Sequence, residues 1–230
     1  MTRIKPATMA LFLVCATIAA GAQEILTADS FLQQVGERYA AMSDYEGRLV
    51  ITTERGTQEG TVLHKAPNLL RIDFSVPAGQ VISYDGSTLL VYVPELRAIL
   101  SQTVRAPEEG GAAGSAGVAT AEGLRTLRRN YSAAYEKGPD PVELEGTGER
   151  VIRLILNRKT VAEGFRTIIL SVSADTKLIR RIEGTTVANE TLVFDFTAIK
   201  TDQGIAPSRF IYDAPNSANT YSNFLFKPEE

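Results

Sequence analysis

The chain has one cysteine, Cys15, one histidine, His64, and no tryptophan. A zinc cage needs several thiolates or imidazoles, and paired-histidine catalysis needs two imidazoles, so both are excluded. A surplus of positive charge is also missing: 24 Lys and Arg face 27 Asp and Glu, for a net charge of −3. That excludes the basic footprint of a nucleic-acid-binding domain. Beyond the first two dozen residues no apolar run reaches the ~18 residues that a membrane-spanning helix requires. What remains is 230 residues, 44% hydrophobic and 22% charged, an ordinary globular balance for one domain or two small ones. The chain is rich in Val, Ile, Leu, Phe and Tyr and poor in reactive groups. This composition favours a binding protein over an enzyme.

Residues 1–22 read as a secretory signal peptide. Arg3 and Lys5 precede a mostly apolar stretch from Ala7 to Ala20, and Ala20-Gly21-Ala22 is an A-x-A cleavage pattern. Cleavage after Ala22 removes Cys15 and predicts an exported chain without disulfides. Lipoprotein processing at Cys15 is the alternative. Against it, Val14 stands where a small residue is usual, and the site falls inside the apolar run.

From Thr27 to Ser43, Phe31, Val35, Tyr39 and Met42 recur at helical spacing, with Thr27 or Asp29 as cap. From Tyr45 to about Gln102 the period changes to two. The runs GRLVITTE, TVLHK, LLRIDF, QVISY, TLLVYV and RAIL are short and β-branched, with Pro67, Pro77 and Pro94 between runs and Asp85-Gly86 as a hairpin turn. Residues 105–120 are Gly- and Ala-rich and read as a flexible loop. In AEGLRTLRRNYSAAYE, Leu124, Leu127, Tyr131 and Tyr135 form one apolar face, which predicts a second amphipathic helix. Strands resume with VELEG, RVIRLILN, FRTIILSVS, LIRRIEGTT, TLVFDFTAI and SRFIYD. Without βαβ alternation the expected architecture is α+β: one large curved antiparallel sheet of about 11 strands with the helices on one face.

The strands are apolar on one face and wet on the other. Leu70, Ile72 and Phe74 alternate with Arg71 and Asp73; Ile152, Leu154 and Leu156 with Arg153; Leu192, Phe194 and Phe196 with Asp195. Two helices of about 16 residues, ~24 Å long, face a sheet whose strands lie ~4.8 Å apart. Two readings stand: a fully packed core, or a cavity for an apolar ligand. Elsewhere the chemistry is sparse. His64 adjoins Lys65 with no nearby nucleophile, and reads as a surface or structural histidine. The Ala113–Gly117 segment lacks a glycine of G-x-S-x-G. Arg125, Arg128 and Arg129 read as a solvated helix face, or as contacts to lipid headgroups or an acidic partner.

Lys65-Ala66-Pro67-Asn68-Leu69-Leu70, then Pro77, Asp85-Gly86 and Tyr92-Val93-Pro94, follow one another at the spacing seen in periplasmic lipoprotein carriers. In this stretch the chain resembles the LolA family. The opening helix, the mid-chain helix behind a flexible loop, and Arg209 to Pro215 as a closing strand extend the resemblance over most of residues 25–215. It implies a half-open antiparallel barrel with a helical lid in a carrier domain over 23–215, followed by an extension over 216–230. The implied groove for acyl chains would be lined by Leu49 and Ile51, by Leu70, Ile72 and Phe74, and by Ile82, Tyr84, Leu90 and Tyr92. In the second half it would be lined by Ile152, Leu154 and Leu156, and by Leu192, Phe194 and Phe196. Leu124, Leu127, Tyr131 and Tyr135 would form the lid.

The implied function is a monomeric periplasmic shuttle of acylated lipoproteins, with no cofactor, no metal and no reaction. It would take cargo from an inner-membrane ABC-type releasing complex and pass it to an outer-membrane acceptor. The alternative is a lipoprotein-sensing regulator on the same fold with a signalling partner; the short tail past Pro215 favours the shuttle. Two departures stand out. The family often carries an arginine, which helps hold the lid, where Ala66 stands here; Arg71 and Arg48 are the candidates to replace it. The tail, with Phe224, Leu225 and Phe226, is expected to be an extra edge strand or an apolar plug.

Overall fold

The computed structural model describes residues 26–103 and 115–222. The signal segment with Cys15, most of the Gly-rich loop, and Phe224, Leu225 and Phe226 lie outside the described residues. Helix α1 spans Ala28–Ala40, and the Thr27 hydroxyl caps it by accepting from the Ser30 N–H at 3.1 Å. Its buried stripe is Phe31, Leu32, Val35 and Tyr39, and Met42 is buried just past its end.

Six strands then run as a meander: β1 (Asp44–Thr53), β2 (Gly56–Lys65), β3 (Leu69–Val76), β4 (Val81–Tyr84), β5 (Thr88–Val93) and β6 (Ala98–Thr103). A 3-10 turn over Ser115–Ala119 leads into helix α2 (Ala121–Asn130). After it come β7 (Tyr131–Tyr135), β8 (Val142–Glu143), β9 (Arg150–Arg158), β10 (Phe165–Ser173), β11 (Ile179–Thr186), β12 (Thr191–Thr201) and β13 (Asn219–Ser222). All belong to one 13-stranded sheet in the order β13-β6-β5-β4-β3-β2-β1-β12-β11-β10-β9-β7, with β8 also on β9. The two meanders join where β12 returns beside β1, with Leu49 opposite Phe196 and Ile51 opposite Phe194. The outermost strands, β13 and β7, do not pair with each other, so the sheet stays open.

Both helices lie on the concave face, where one apolar cluster joins Phe31, Val35, Leu124 and Leu127 to Leu49, Ile72, Leu154, Leu170 and Phe196. Tyr39 meets Tyr45 edge-on at 6.1 Å, and its hydroxyl oxygen accepts from the Ile179 N–H at 3.1 Å. Burial pushes the Tyr39 phenol up to about 12.

Three sequence expectations change. Tyr131 and Tyr135 are not helical: α2 ends at Asn130, and both tyrosines lie on β7, opposite Arg158 and Leu154 of β9. A separation of four residues suits one face of a helix and one face of a strand equally. Here the bare edge of β9 supplied backbone partners, and Ser132 and Ala134 turned outward.

SRFIYD is not a strand. Pro207–Phe210 forms a 3-10 turn within a segment that straps the convex face of the sheet. Phe210 is buried there with Leu63 and Ile205. The segment's carbonyls are satisfied by side chains rather than by a neighbouring strand. The Arg71 guanidinium donates to the Arg209 and Ile211 carbonyls at 3.0 and 3.2 Å, and the Ser83 hydroxyl donates to the Phe210 carbonyl at 2.5 Å.

The tail does add an edge strand, β13, but it pairs with β6 in parallel. That pair and the short β7 and β8 bring the strands to thirteen and make the sheet not wholly antiparallel.

Candidate functional site

The register places the expected groove residues in three settings. Leu49, Leu154 and Leu156 are wholly buried, with Leu70, Ile72, Phe74, Ile152, Phe194 and Phe196 buried beside them under the helices. Ile51, Ile82, Tyr84 and Leu192 are half-buried at the margin of that core. The middle of the concave face is therefore packed shut in this conformation. Leu90 and Tyr92 are on the other face: Ile82, which points into the concavity, pairs with Val91, and Tyr84 pairs with Leu89. Leu90 and Tyr92 pack instead with Val81 and Ile99, and Tyr212 of the strap lies 5.8 Å from Tyr92.

Leu89, Val91 and, on β6, Leu100 share the concave face with Ile82 and Tyr84. All three are half-buried, and none belongs to a core cluster. They form an apolar shelf that continues the packed concavity toward β6. Sequence reading missed them because TLLVYV is apolar at nearly every position. Its parity is invisible until the Ile82–Val91 register is known.

Helix α2 covers the concave face beside α1 and runs directly into β7. The Thr120 hydroxyl caps it, accepting from the Gly123 N–H at 3.0 Å, and Leu124 and Leu127 bury its apolar face. Its polar contacts lie at its two ends, where Arg128 also reaches Gln33 at 3.3 Å and the Lys159 N–H donates to the Asn130 carbonyl at 2.9 Å. The Tyr45 hydroxyl donates to the Ala119 carbonyl at 2.9 Å in a buried bond. Arg128 pairs with Asp29 of α1 at 2.9 Å, and the Lys159 ammonium donates to the Arg128 and Arg129 carbonyls, each at 3.1 Å.

Neither candidate for the missing family arginine reaches α2. Arg48 pairs with Glu59, and Arg71 pairs with Asp73 at 2.8 Å, both on the convex face. Ala66 borders a cavity of about 210 Å³ between the β2–β3 turn and the start of α2, lined by Tyr39, His64, Pro67, Glu122 and Arg125. The bond from Tyr45 ties the sheet to the segment that leads into α2, at the end of the helix opposite the Lys159 contacts. Tyr45→Phe keeps the ring and removes the donor. It is expected to cost about 1 kcal/mol and to speed amide hydrogen exchange over residues 118–127 while leaving β1 and β12 protected. Unchanged exchange in that segment would show that packing alone holds α2.

His64 is buried, not at the surface. Its ring stacks on Tyr45 at 5.2 Å and 25°, and its Nε2 is sealed without a hydrogen-bond partner. Burial pulls the imidazole down to about 4, against a smaller opposing pull from Asp44, so it is neutral at pH 7. No group of three or more His, Cys, Asp or Glu able to hold a metal occurs among the described residues.

No family model and no curated protein matches the chain. Among solved structures, an uncharacterized conserved protein from Thermus thermophilus aligns over 83% of this chain and 98% of its own, with TM-score 0.55 and 10% identity. MucB of Pseudomonas aeruginosa, solved in complex with MucA, aligns over 87% of this chain and 67% of its own, with TM-score 0.52 and 13% identity. A LolA superfamily protein from Nitrosomonas europaea aligns over 81% and 98%, with TM-score 0.43 and 14% identity. The chain shares its fold, an open and mainly antiparallel sheet with helices on the concave face, with the Thermus thermophilus protein and with MucB.

Proposed function

We propose that the chain is an exported carrier that shelters the acyl chains of lipoproteins between sheet and helix α2, moving them from the inner to the outer membrane. One observation carries the reading: the concave face is apolar from β9 to β6, while its cover is two short helices, of which α2 has its polar ties at its ends and only apolar contacts, Leu124 and Leu127, toward the concavity. Each methylene withdrawn from water is worth ~0.8 kcal/mol, so a chain of ~15 methylenes has ~12 kcal/mol at stake. A bilayer offers the chain a similar environment. The carrier therefore has only to lower the cost of crossing water without trapping its cargo. A lid that fills the concavity when it is empty competes with cargo and so aids release. The shelf of Leu89, Val91 and Leu100 gives an arriving chain an apolar foothold beside the packed core.

The test is release from spheroplasts that carry a labelled triacylated lipoprotein and the extraction complex of the same organism. Mature wild-type protein is expected to bring out a soluble one-to-one complex. Val91→Glu, a half-buried position, is expected to fold normally and recover about tenfold less, because a carboxylate there must be desolvated against the incoming chain. A folded wild type that forms no complex would overturn the shuttle. The regulator reading would then be tested by capture of a signalling partner.

A further inference from the structure

Alternate connections of a meander fall on the same rim of its sheet. The connections β1–β2, β3–β4, β5–β6, β9–β10 and β11–β12 share one rim, as the registers require. Four large aliphatic side chains stand exposed along it: Val76 at the end of β3 (49%), Leu96 between β5 and β6 (73%), Val161 between β9 and β10 (85%) and Val187 between β11 and β12 (51%). The only other exposed large hydrophobics among the described residues are Ile211 on the convex strap and Tyr221 on β13, so the opposite rim has none.

The same rim is basic on an acidic chain. Arg55, Arg97, Arg129, Lys159 and Arg166 are exposed there against Glu54, Glu95 and Glu190, although the net charge of the whole chain is −3. Arg55, whose side chain is 90% exposed, fills the gap in the aliphatic series at the β1–β2 turn.

We infer that this rim docks on an anionic lipid bilayer. Aliphatic tips spaced around the end of a curved sheet match a plane better than they match a knob or a groove. Exposed aliphatics interleaved with Arg and Lys combine shallow burial among acyl chains with attraction to anionic headgroups. The contact does not depend on the carrier reading. Should both hold, a chain leaving the bilayer would meet the concave face from its end without crossing bulk water.

The test is flotation of the mature chain with phosphatidylcholine vesicles with or without phosphatidylglycerol. Wild type is expected to float with the anionic vesicles and to be largely released by high salt. Leu96→Glu with Val161→Glu is expected to lower bound protein about tenfold. Arg97→Glu should weaken binding to the anionic vesicles only. Ile211→Glu, an exposed aliphatic off the rim, should change nothing. All four substituted positions are exposed, and circular dichroism checks that each variant folds. Absence of flotation with anionic vesicles would overturn the inference and leave a protein partner as the occupant of the rim. Equal binding by the double variant, or an equal loss with Ile211→Glu, would also overturn it. The vesicles carry no lipoprotein, so this result and the lipoprotein-release result can fail separately.

Discussion

Asp44→Ala is expected to lower the free energy of unfolding by about 3–5 kcal/mol, read as a shift of the urea midpoint at pH 7. The Asp44 carboxylate is fully buried at the head of β1. One oxygen accepts from the Gln203 N–H at 2.7 Å, the other from the Ile205 N–H at 2.9 Å, and the Lys65 ammonium stands 3.6 Å away. The backbone doubles the junction: the Asp202 N–H donates to the Asp44 carbonyl at 2.8 Å, and the Asp202 carboxylate accepts from the Ser43 N–H at 2.8 Å. Removing the carboxylate orphans the buried Ile205 amide and the part-buried Gln203 amide and leaves Lys65 uncompensated, and these costs exceed that of an exposed ion pair. The strap that follows should loosen first, because Ile205 and Phe210 are seated just beyond the junction. Proteolysis is therefore expected to begin within residues 205–215. Asp44→Asn retains one acceptor and should lose less. A loss below about 1 kcal/mol for the alanine variant would mean that Asp202 alone holds the strap.

Acidification is expected to destabilise the protein through His64. Its imidazole is held near 4 by burial, against an ordinary value near 6.5. Between these values the unfolded chain takes up a proton that the folded chain refuses. Stability therefore rises with pH through this window, is complete above about 6.5 and is lost as pH falls toward 4. The shift corresponds to about 2 kcal/mol lost by pH 5 and about 3 kcal/mol below pH 4. His64→Phe preserves a ring against Tyr45 and removes the titrating group. Its unfolding free energy should be nearly flat from pH 7 to pH 5, and the difference between the two curves is the measurement. A wild-type curve equally flat would show that the imidazole gains a partner on protonation. The same substitution removes a buried nitrogen that has no hydrogen-bond partner.

Much of the fold was legible because two periods alternate along the chain without overlapping. The helical spacing of Phe31, Val35 and Tyr39, and the strict alternation in LLRIDF, RVIRLILN and LVFDFT, each point to one element and one buried face. The structure places Leu70, Ile72, Phe74, Leu154, Phe194 and Phe196 in the core on that face. The Asp85-Gly86 turn was equally plain: the Asp85 carboxylate accepts from the Ser87 and Thr88 N–H groups at 2.9 and 2.8 Å, and Gly86 has φ +96°. Legibility failed where the pattern was degenerate. Tyr131 and Tyr135 suited helix and strand alike. Leu90 and Tyr92 sit in a run whose faces are equally apolar, because the strap covers one face of the sheet there and the concavity lies on the other.

The sequence by itself determined the alternation of elements, the turns, and which side of most strands seeks apolar company, because these depend on neighbours a few residues apart. Only the tertiary structure decided the rest. The bare edge of β9 made a strand of Tyr131–Tyr135. The return of β12 beside β1 joined the two meanders. The Ile82–Val91 register turned Val91 inward. The Tyr45 hydroxyl, 74 positions from Ala119 in the chain, came to tie the sheet to the segment that leads into α2. The alignment of alternate turns gathered Val76, Leu96, Val161 and Val187 on one rim. Each of these rests on contacts between distant segments, whose partners exist only once the sheet has closed the distance between them.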